Sequence, residues 1–472
     1  MSKAVVLGVS VGIAGILAIG AWWMYASLFT IPTHPPIPSI PSDSTSPRDL
    51  SNNHNLGLNF FIFDGAAKPG HNNARAITPT ATETDLAALH ATAFRQFTNG
   101  DVMWNTIEPK EGAWNWTKTD EALATIAKTA EPIATLFAMQ YASPNAPWKT
   151  AGTFEKIMTP EAEAYLRAVV GRYKGIVTYW EIGNEMDHWR AADPDEMLKH
   201  QGKPMGATEK MPTLLPTDGY DPEDQGKFFA AAAAIIREED SDAVLVMPGI
   251  SGSNTYNTET WLPGFVQGAG TDGFDVVNYH DYPSWDGMQS RFDLLKAATE
   301  TLGISEKPIW LTETGSTADE SLSQRTNYPN STTTQAADVI RRLLVAFSND
   351  VRLVLWHTYF SSPSENSMND WRAYGLRDEN GDNHASYEAY RALAESFPAT
   401  SVTNVSTVDG MYVMDIQSID GPSAFAVWGT GSWTLPGKLT TQYTITPTGL
   451  SKATAPAEGT EIVLSAIPQL FR

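Results

Sequence analysis

Two glutamates, each closing an apolar and β-prone run, are the residues of this 472-residue chain best placed to do chemistry. One run is Tyr179-Trp180-Glu181-Ile182-Gly183-Asn184-Glu185, and the other is Lys307-Pro308-Ile309-Trp310-Leu311-Thr312-Glu313-Thr314-Gly315-Ser316. A carboxylate at the mouth of a buried strand is costly unless it is paired or used. Two of them, in separate strand–helix units of one domain, are what cleavage of a glycosidic bond requires, one as nucleophile and the other as acid and then base. For a lone strand-end glutamate, a structural ion pair is the ordinary reading. Two such ends, in the right order of a repeating strand–helix rhythm, reverse it. Side chains alternate along a strand, so Glu181, Gly183 and Glu185 are expected to share one face, as are Leu311 and Glu313. With that face inward, Glu185 lies at the mouth and Glu181 below it. Glu181 then needs a cationic partner, for which Arg95 is the candidate.

The elements that must position these groups follow a strand-then-helix rhythm. Strands are expected at 56–63, 93–97, 133–140, 177–185, 243–249, 274–280, 308–313 and 353–359. Helices are expected at 83–92, 118–130, 160–174, 224–240, 288–302, 333–348 and 385–397, with cap chemistry at Thr117 and at Thr159-Pro160. Eight strands alternating with helices predict an α/β fold, a closed (β/α)8 TIM barrel over residues 51–397. A doubly wound open sheet is the rival, but Asp64-Gly65-Ala66-Ala67-Lys68-Pro69-Gly70 after the first strand supplies no G-x-G-x-x-G. After Pro398 the texture changes to short alternating runs at 411–416, 423–428, 442–445 and 461–467. These predict a small C-terminal antiparallel β domain, an accessory β-sandwich over 398–472.

Lys3 precedes an uncharged apolar run over residues 4–29, long enough to span a bilayer, with Trp22, Trp23 and Tyr25 at its far end. Residues 1–30 are therefore expected to be an uncleaved signal anchor, an N-terminal transmembrane helix, with a cleaved signal peptide and secretion as the alternative. Residues 31–50 hold Pro32, Pro35, Pro36, Pro38, Pro41 and Pro47 among serines and threonines and read as an extended tether. The body beyond it is expected to be extracytoplasmic and monomeric. There is no cysteine, which excludes disulfides and thiolate metal sites. A net charge of -22 argues against nucleic acid and anionic lipid surfaces, and against a strongly anionic polymer as substrate.

Other chemistries find little support. The nine histidines form no H-E-x-x-H, and Asp378-Glu379-Asn380-Gly381-Asp382 lacks the closing glutamate of a calcium loop, so no metal or cofactor is expected. No G-x-S-x-G appears, which argues against a serine hydrolase. Trp104, Trp148, Trp189, Trp285 and Trp371 fall in or beside strand-to-helix loops, where a sugar ring would stack, and loop packing is the plainer reading of each. Trp180 and Trp310 alternate out of phase with the glutamates and are expected against the helices. Asp187 and His188 are read either as substrate contacts or as solvated loop, Asp281 as rotated away from the site, and Glu108 and Glu111 as structural.

The same segments, in order, resemble glycoside hydrolase clan A, nearest to families 39 or 5. The resemblance rests on Gly183-Asn184-Glu185 on strand four and Thr312-Glu313 on strand seven. Phe94-Arg95 on strand two, the loop from Trp104 to Trp116, Asn278-Tyr279-His280-Asp281-Tyr282-Pro283, Leu355-Trp356-His357-Thr358-Tyr359 and the hairpin from Tyr374 to Gly381 agree with it. It covers residues 56–397. It implies a retaining glycosidase with Glu185 as acid/base and Glu313 as nucleophile. Asn184 would bond the sugar 2-hydroxyl, Tyr282 or Tyr279 would orient Glu313, and His280 would line the same subsite. Trp356 would floor the scissile sugar, and Arg95 would hold the nucleophile ionised. The expected substrate is a polysaccharide or oligosaccharide. Two rival expectations use the same barrel: an inactive tethered glycan-binding protein, and a transglycosylase built on the same two glutamates.

Overall fold

The computed structural model describes residues 49–60, 79–96, 102, 104–136, 158, 160–188, 221–318, 331–361, 373–378, 381–447 and 449–472. The apolar run, almost all of the tether, Trp148, Trp189 and Trp371 lie outside the described residues. Among the described residues no helix is long and apolar enough to cross a membrane.

Eight parallel strands form one sheet: β1 Asn55–Phe60, β2 Ala93–Gln96, β3 Glu131–Thr135, β4 Tyr179–Glu181, β5 Val244–Val246, β6 Val277–Asp281, β7 Ile309–Thr314 and β8 Val351–His357. They pair in the order β5-β4-β3-β2-β1-β8-β7-β6. The remaining seam, between β5 and β6, is bridged at Val246–Val276 and Ile250–Tyr279, so the sheet curls into a near-closed barrel. A helix follows each strand: α1 Pro79–Ala88, α2 Thr117–Ile126, α3 Pro160–Tyr173, α4 Pro222–Glu239, α5 Leu262–Ala269, α6 Met288–Thr301, α7 Thr332–Ser348 and α8 Ala385–Ala394. Local chemistry starts several of them. Asp221 caps α4 by accepting from the Glu223 N–H at 2.8 Å, ahead of Pro222, and Ser331 accepts from the Thr334 N–H at the head of α7. Thr117 does not cap α2; Trp116 holds that position and makes no side-chain cap.

The barrel interior is filled from six strands and a plug. Ala93, Ile133, Tyr179, Val246, Val276, Trp310, Leu353 and Leu355 pack together with Leu50, whose backbone N–H donates to the Tyr179 hydroxyl at 3.1 Å. Leu50, read from the sequence as the last residue of the tether, is thus core, and the chain enters at the N-terminal end of the strands. Trp310 also departs from expectation. It lies inside the barrel against Tyr179, not against the helices.

The C-terminal β domain is antiparallel, with a six-stranded sheet ordered β14-β13-β16-β11-β10-β9. These strands are β9 Ala399–Asn404, β10 Met411–Ser418, β11 Ala424–Gly429, β13 Thr441–Thr446, β14 Gly449–Thr454 and β16 Gln469–Phe471. A two-stranded ribbon, β12 Ser432–Thr434 with β15 Glu461–Val463, packs on it through Val413, Val427, Leu435, Ile462, Leu464 and Phe471. The expected sandwich of four runs is therefore one sheet of six strands with a small ribbon. Most of the missed strands are short or mainly exposed and carry little apolar signal. The domain grips the barrel beside the site. Trp285, just after β6, sits among Tyr412, Trp428 and the Arg341 guanidinium.

Candidate active site

Beneath the mouth lies a fully buried guanidinium. Arg95 of β2 donates to Glu181 from Nε at 2.5 Å and Nη2 at 3.0 Å, to Glu313 from Nη1 at 2.8 Å and to Asn184 Oδ1 from Nη2 at 2.6 Å. A buried cation at the end of a strand requires such company, and Glu181 is its main partner. Thr135, the Gly249 N–H and Asn278 supply the other hydrogen bonds to that carboxylate.

Glu313 sits above this pair. Tyr282, just past the end of β6, donates its hydroxyl to Oε2 at 2.6 Å, and Arg95 holds Oε1. Burial alone would raise the pKa of this carboxyl. The imidazoles of His280 and His357, the Arg95 charge and the Tyr282 hydroxyl outweigh burial and hold it well below the usual carboxylate range. Simple alternation would not bring it here. Trp310 and Thr312 already point into the barrel, so Leu311 and Glu313 should point out. β7 carries one extra residue between Leu311 and Thr314 relative to both neighbours, since Tyr279 pairs with Leu311 while His280 pairs with Glu313. Such a bulge re-aims a side chain, and here it turns consecutive residues, Thr312 and Glu313, to the inside. The expected shared face of Leu311 and Glu313 is corrected accordingly.

Glu185 reaches the mouth by a different device. β4 ends at Glu181, and the chain turns through Gly183 at φ 91 and Glu185 itself at φ 45, a left-handed conformation rare for residues with a side chain. Glu181 and Glu185 both face the mouth, but through this turn and not through strand alternation. The Glu185 N–H donates to Gly249 O at 2.9 Å, and the following 3-10 turn, Met186–His188, is tied down on both sides. Asp187 accepts from the Ser251 N–H at 3.0 Å and Asn257 Nδ2 at 2.9 Å, and Gln225 donates to Met186 O at 3.0 Å. Asp187 therefore serves the turn, which removes it as a substrate contact. The Glu185 side chain remains 23% exposed against 5% for Glu313. Its Oε1 lies 2.7 Å from His280 Nδ1. A carboxylate oxygen of Glu185, one of Glu313 and a ring nitrogen of His280 all lie within 4.8 Å of one another. Carboxylate pairs that retain configuration stand about 5–5.5 Å apart, whereas inverting pairs need about 6.5–9.5 Å to admit a water.

Arg95, Asn184, Glu185, His280, Tyr282 and Glu313 are thus brought together. Three other candidates are not. Tyr279 is buried on the outer face of β6 against Phe292, so the choice between the two tyrosines falls to Tyr282. Trp356 is fully buried and donates Nε1–H to Tyr374 O at 3.2 Å. The inward residues of β8 are Leu353 and Leu355, which puts Trp356 out of phase with the mouth and His357 in phase with it. Trp104 is 3% exposed, stacked on Tyr165 with its Nε1–H on Glu108 Oε2 at 2.6 Å, and offers no ring to a sugar. Glu108 is structural, as read from the sequence, and Asp281 is turned from the site into an ion pair with Arg291 at 2.5 Å.

Sequence reasoning gave no role to His357, Asn278, Thr312 or Gly249. His357 is buried with its ring 6.1 Å from Tyr282. Burial pushes its imidazole down to about 4 against the pull of Glu313, so it stays neutral. Gly249 lies flat against His280, where a Cβ would come within 2.1 Å of Nε2. Counting inward positions back from the core of β8 would have found His357.

Comparison with known proteins agrees with this geometry. A model of glycosyl hydrolase family 10 matches residues 64–201, and a model of the glycosyl hydrolase catalytic core matches residues 219–385. Together with the carboxylate pair, these matches indicate a glycosidase built on a barrel. No curated protein is significantly similar in sequence. Among solved structures, the family 39 glycoside hydrolase from the gut symbiont Bacteroides cellulosilyticus WH2 superposes with a TM-score of 0.60 at 16% identity, over 90% of this chain and 81% of that one. The glucosidase from Croceicoccus marinus gives 0.61 at 11% identity over 89% and 96%. The monomeric beta-xylosidase from Caulobacter crescentus CB15 gives 0.55 at 14% identity over 90% and 97%. At these identities the likeness is one of fold.

Proposed function

We propose that the protein is a membrane-anchored glycoside hydrolase that cleaves a polysaccharide or oligosaccharide by double displacement. Glu313 attacks the anomeric carbon as the bond to the leaving oxygen breaks, and Glu185 gives that oxygen a proton. Water then attacks the glycosyl-Glu313 ester, its proton passes to Glu185, and Glu313 leaves as carboxylate. The observation that carries this reading is the unlike setting of two neighbouring carboxylates. Arg95 and Tyr282 keep Glu313 ionised, while Glu185 is the more exposed and shares its oxygen with His280. Paired groups whose surroundings drive them apart in protonation are how acid and nucleophile are told apart. Asn184, its oxygen held by Arg95, is assigned to the sugar 2-hydroxyl through its amide N–H2. The membrane anchor is supported by the apolar run of residues 4–29 and the proline-rich segment after it.

The test is a pair of variants on an aryl glycoside that the unmodified protein cleaves. Glu313→Ala should lose turnover with no retained azide adduct. Glu185→Ala should turn over slowly and recover in azide, giving the glycosyl azide of retained configuration. Full activity in either variant would refute the assignment.

A further inference from the structure

Six polar groups run without a break from the barrel floor to Glu185, and their donor and acceptor capacities leave a single arrangement of protons. Glu181, paired with Arg95, is acceptor-only. Asn278 Nδ2 lies 3.0 Å from Glu181 Oε1 and 3.3 Å from Met247 O, both acceptors, so the amide N–H2 faces them. Asn278 Oδ1 must then face Thr312, and the Thr312 hydroxyl must donate to it, at 2.8 Å. With its one proton spent, Thr312 Oγ1 can only accept from His280 Nε2, 3.1 Å away. Nε2 therefore carries hydrogen in the neutral ring as well as in the cation. Nδ1, the nitrogen 2.7 Å from Glu185 Oε1, is then a bare lone pair whenever the ring is neutral.

We propose that Thr312 and Asn278 are positioning residues that lock His280 in its Nε2–H tautomer, so that Glu185 and His280 hold one proton between Oε1 and Nδ1. The inference rests on the assignment of Glu185 as acid/base. If that proton is lost, a carboxylate and an imidazole lone pair face each other across 2.7 Å, which opposes the loss. The pair thus stays armed as an acid to higher pH. When Glu185 has passed its proton to the leaving oxygen, its Oε1 faces the bare Nδ1 lone pair, and a proton from water refills that position in the second step. The proton taken from water restores the starting state. The groups around the ring agree with this account. Glu313 Oε2 lies 3.6 Å from Nδ1, the Arg95 charge disfavours the cationic ring, the nearby His357 is neutral, and the Gly249 backbone closes the face beside Nε2. Burial would lower the His280 pKa, but Glu313 and Glu185 outweigh it and leave the imidazole above its ordinary value. The lock exists because Thr312 is the extra residue of the β7 bulge: without that insertion Thr312 and Glu313 could not both face inward.

The experiment combines a spectrum with a pH profile. In 15N-histidine-labelled protein, with His280 assigned by its loss in His280→Gln, long-range 1H–15N correlation should report Nε2–H for the neutral ring. Thr312→Val, of nearly equal volume, should switch that ring to Nδ1–H. It should also shift the basic limb of kcat/KM down by about one pH unit or more, because a carboxylate facing an N–H releases the shared proton more readily. Thr312→Ser should keep the native tautomer and limb. An Nδ1–H ring in the unmodified protein, or a Thr312→Val protein with both readouts unchanged, overturns the proposal. Should Thr312→Val not fold, the unmodified spectrum and Thr312→Ser decide it. An Nε2–H ring whose proton stays in place when Glu185→Gln is introduced, in a protein without glycosidase activity, would sink the functional reading and leave the tautomer lock standing.

Discussion

Replacing Arg95 with methionine tests the electrostatic design of the site most directly. The guanidinium is fully buried and donates four hydrogen bonds, two to Glu181 and one each to Glu313 and Asn184. Methionine fills similar length but leaves two buried carboxylates without their cation. Removing one partner of a buried ion pair costs about 3–5 kcal/mol, which urea unfolding at pH 7 would read as a clear fall in midpoint. The catalytic consequence is separate. Charge centres about 4 Å apart interact by about 4 kcal/mol at an effective dielectric near 20, or about three pH units. Arg95 favours the ionised form of Glu313, so its loss raises that pKa, and the acidic limb of kcat/KM moves up toward neutrality by as much as this. The double variant Arg95→Met/Glu181→Gln removes the orphaned charge beneath. It should recover much of the stability while the acidic limb stays raised. A double variant with the limb back at its original position would show that Arg95 acts only as a structural counter-ion. A single variant within about 1 kcal/mol of the unmodified protein would refute the burial argument.

Two further outcomes follow from the same geometry. Tyr282→Phe deletes a 2.6 Å bond to the Glu313 carboxylate; hydrogen bonds to charged groups contribute about 1.5–3 kcal/mol. The expected results are a loss of about 10–100-fold in kcat/KM, an acidic limb raised by about 1–2 units and a stability loss of about 1.5–3 kcal/mol at neutral pH that fades as pH falls below the carboxylate range; an unmoved acidic limb would contradict the role. Stability itself should depend on pH in a definite sense. His357 is held neutral down to about 4, below its ordinary value of 6.5, so the unfolded chain takes up a proton first and stability falls as pH drops from about 6.5 through 4, by roughly 3 kcal/mol. Glu313, depressed by its partners, adds to the loss as pH falls below the ordinary carboxylate range. His280, raised, acts in the opposite sense and contributes stability that is lost as pH climbs above its ordinary value. Urea midpoints from pH 4 to 9 should therefore peak near neutrality, and a midpoint that rises steadily on acidification would contradict these assignments.

Much of this molecule is written in its sequence. All eight barrel strands lie where apolar runs place them, because strands of a parallel sheet are buried on both faces and read as near-continuous hydrophobic segments. The order of Arg95, Asn184, Glu185, His280, Tyr282 and Glu313 along those runs was enough to nominate one mouth, since the strand ends of a barrel converge whatever the loops do. The Glu181–Arg95 pairing was also legible, because a charge inside a strand must meet its opposite. The short turns were not. Met186–His188 and the helical stretch from Asn257 to Ala269 carry little periodic signal, and tertiary hydrogen bonds hold the first of them.

What tertiary structure alone decided is the phase of each side chain near the mouth. The family resemblance assigned Trp356 to the sugar, and alternation assigned Trp310 to the helices and Glu313 to the face of Leu311. The structure instead puts His357 and Trp310 inside and turns Glu313 inward through a bulge at Thr312. Glu185 arrives by a left-handed turn that only its anchors at Gly249 and Asp187 make tenable. Residue types and their order carry the chemistry because a carboxylate, a guanidinium or an imidazole has the same capacities anywhere. Bulges and strained turns belong to the strand-to-strand register and to long-range hydrogen bonds, and these decide which of those capacities meet.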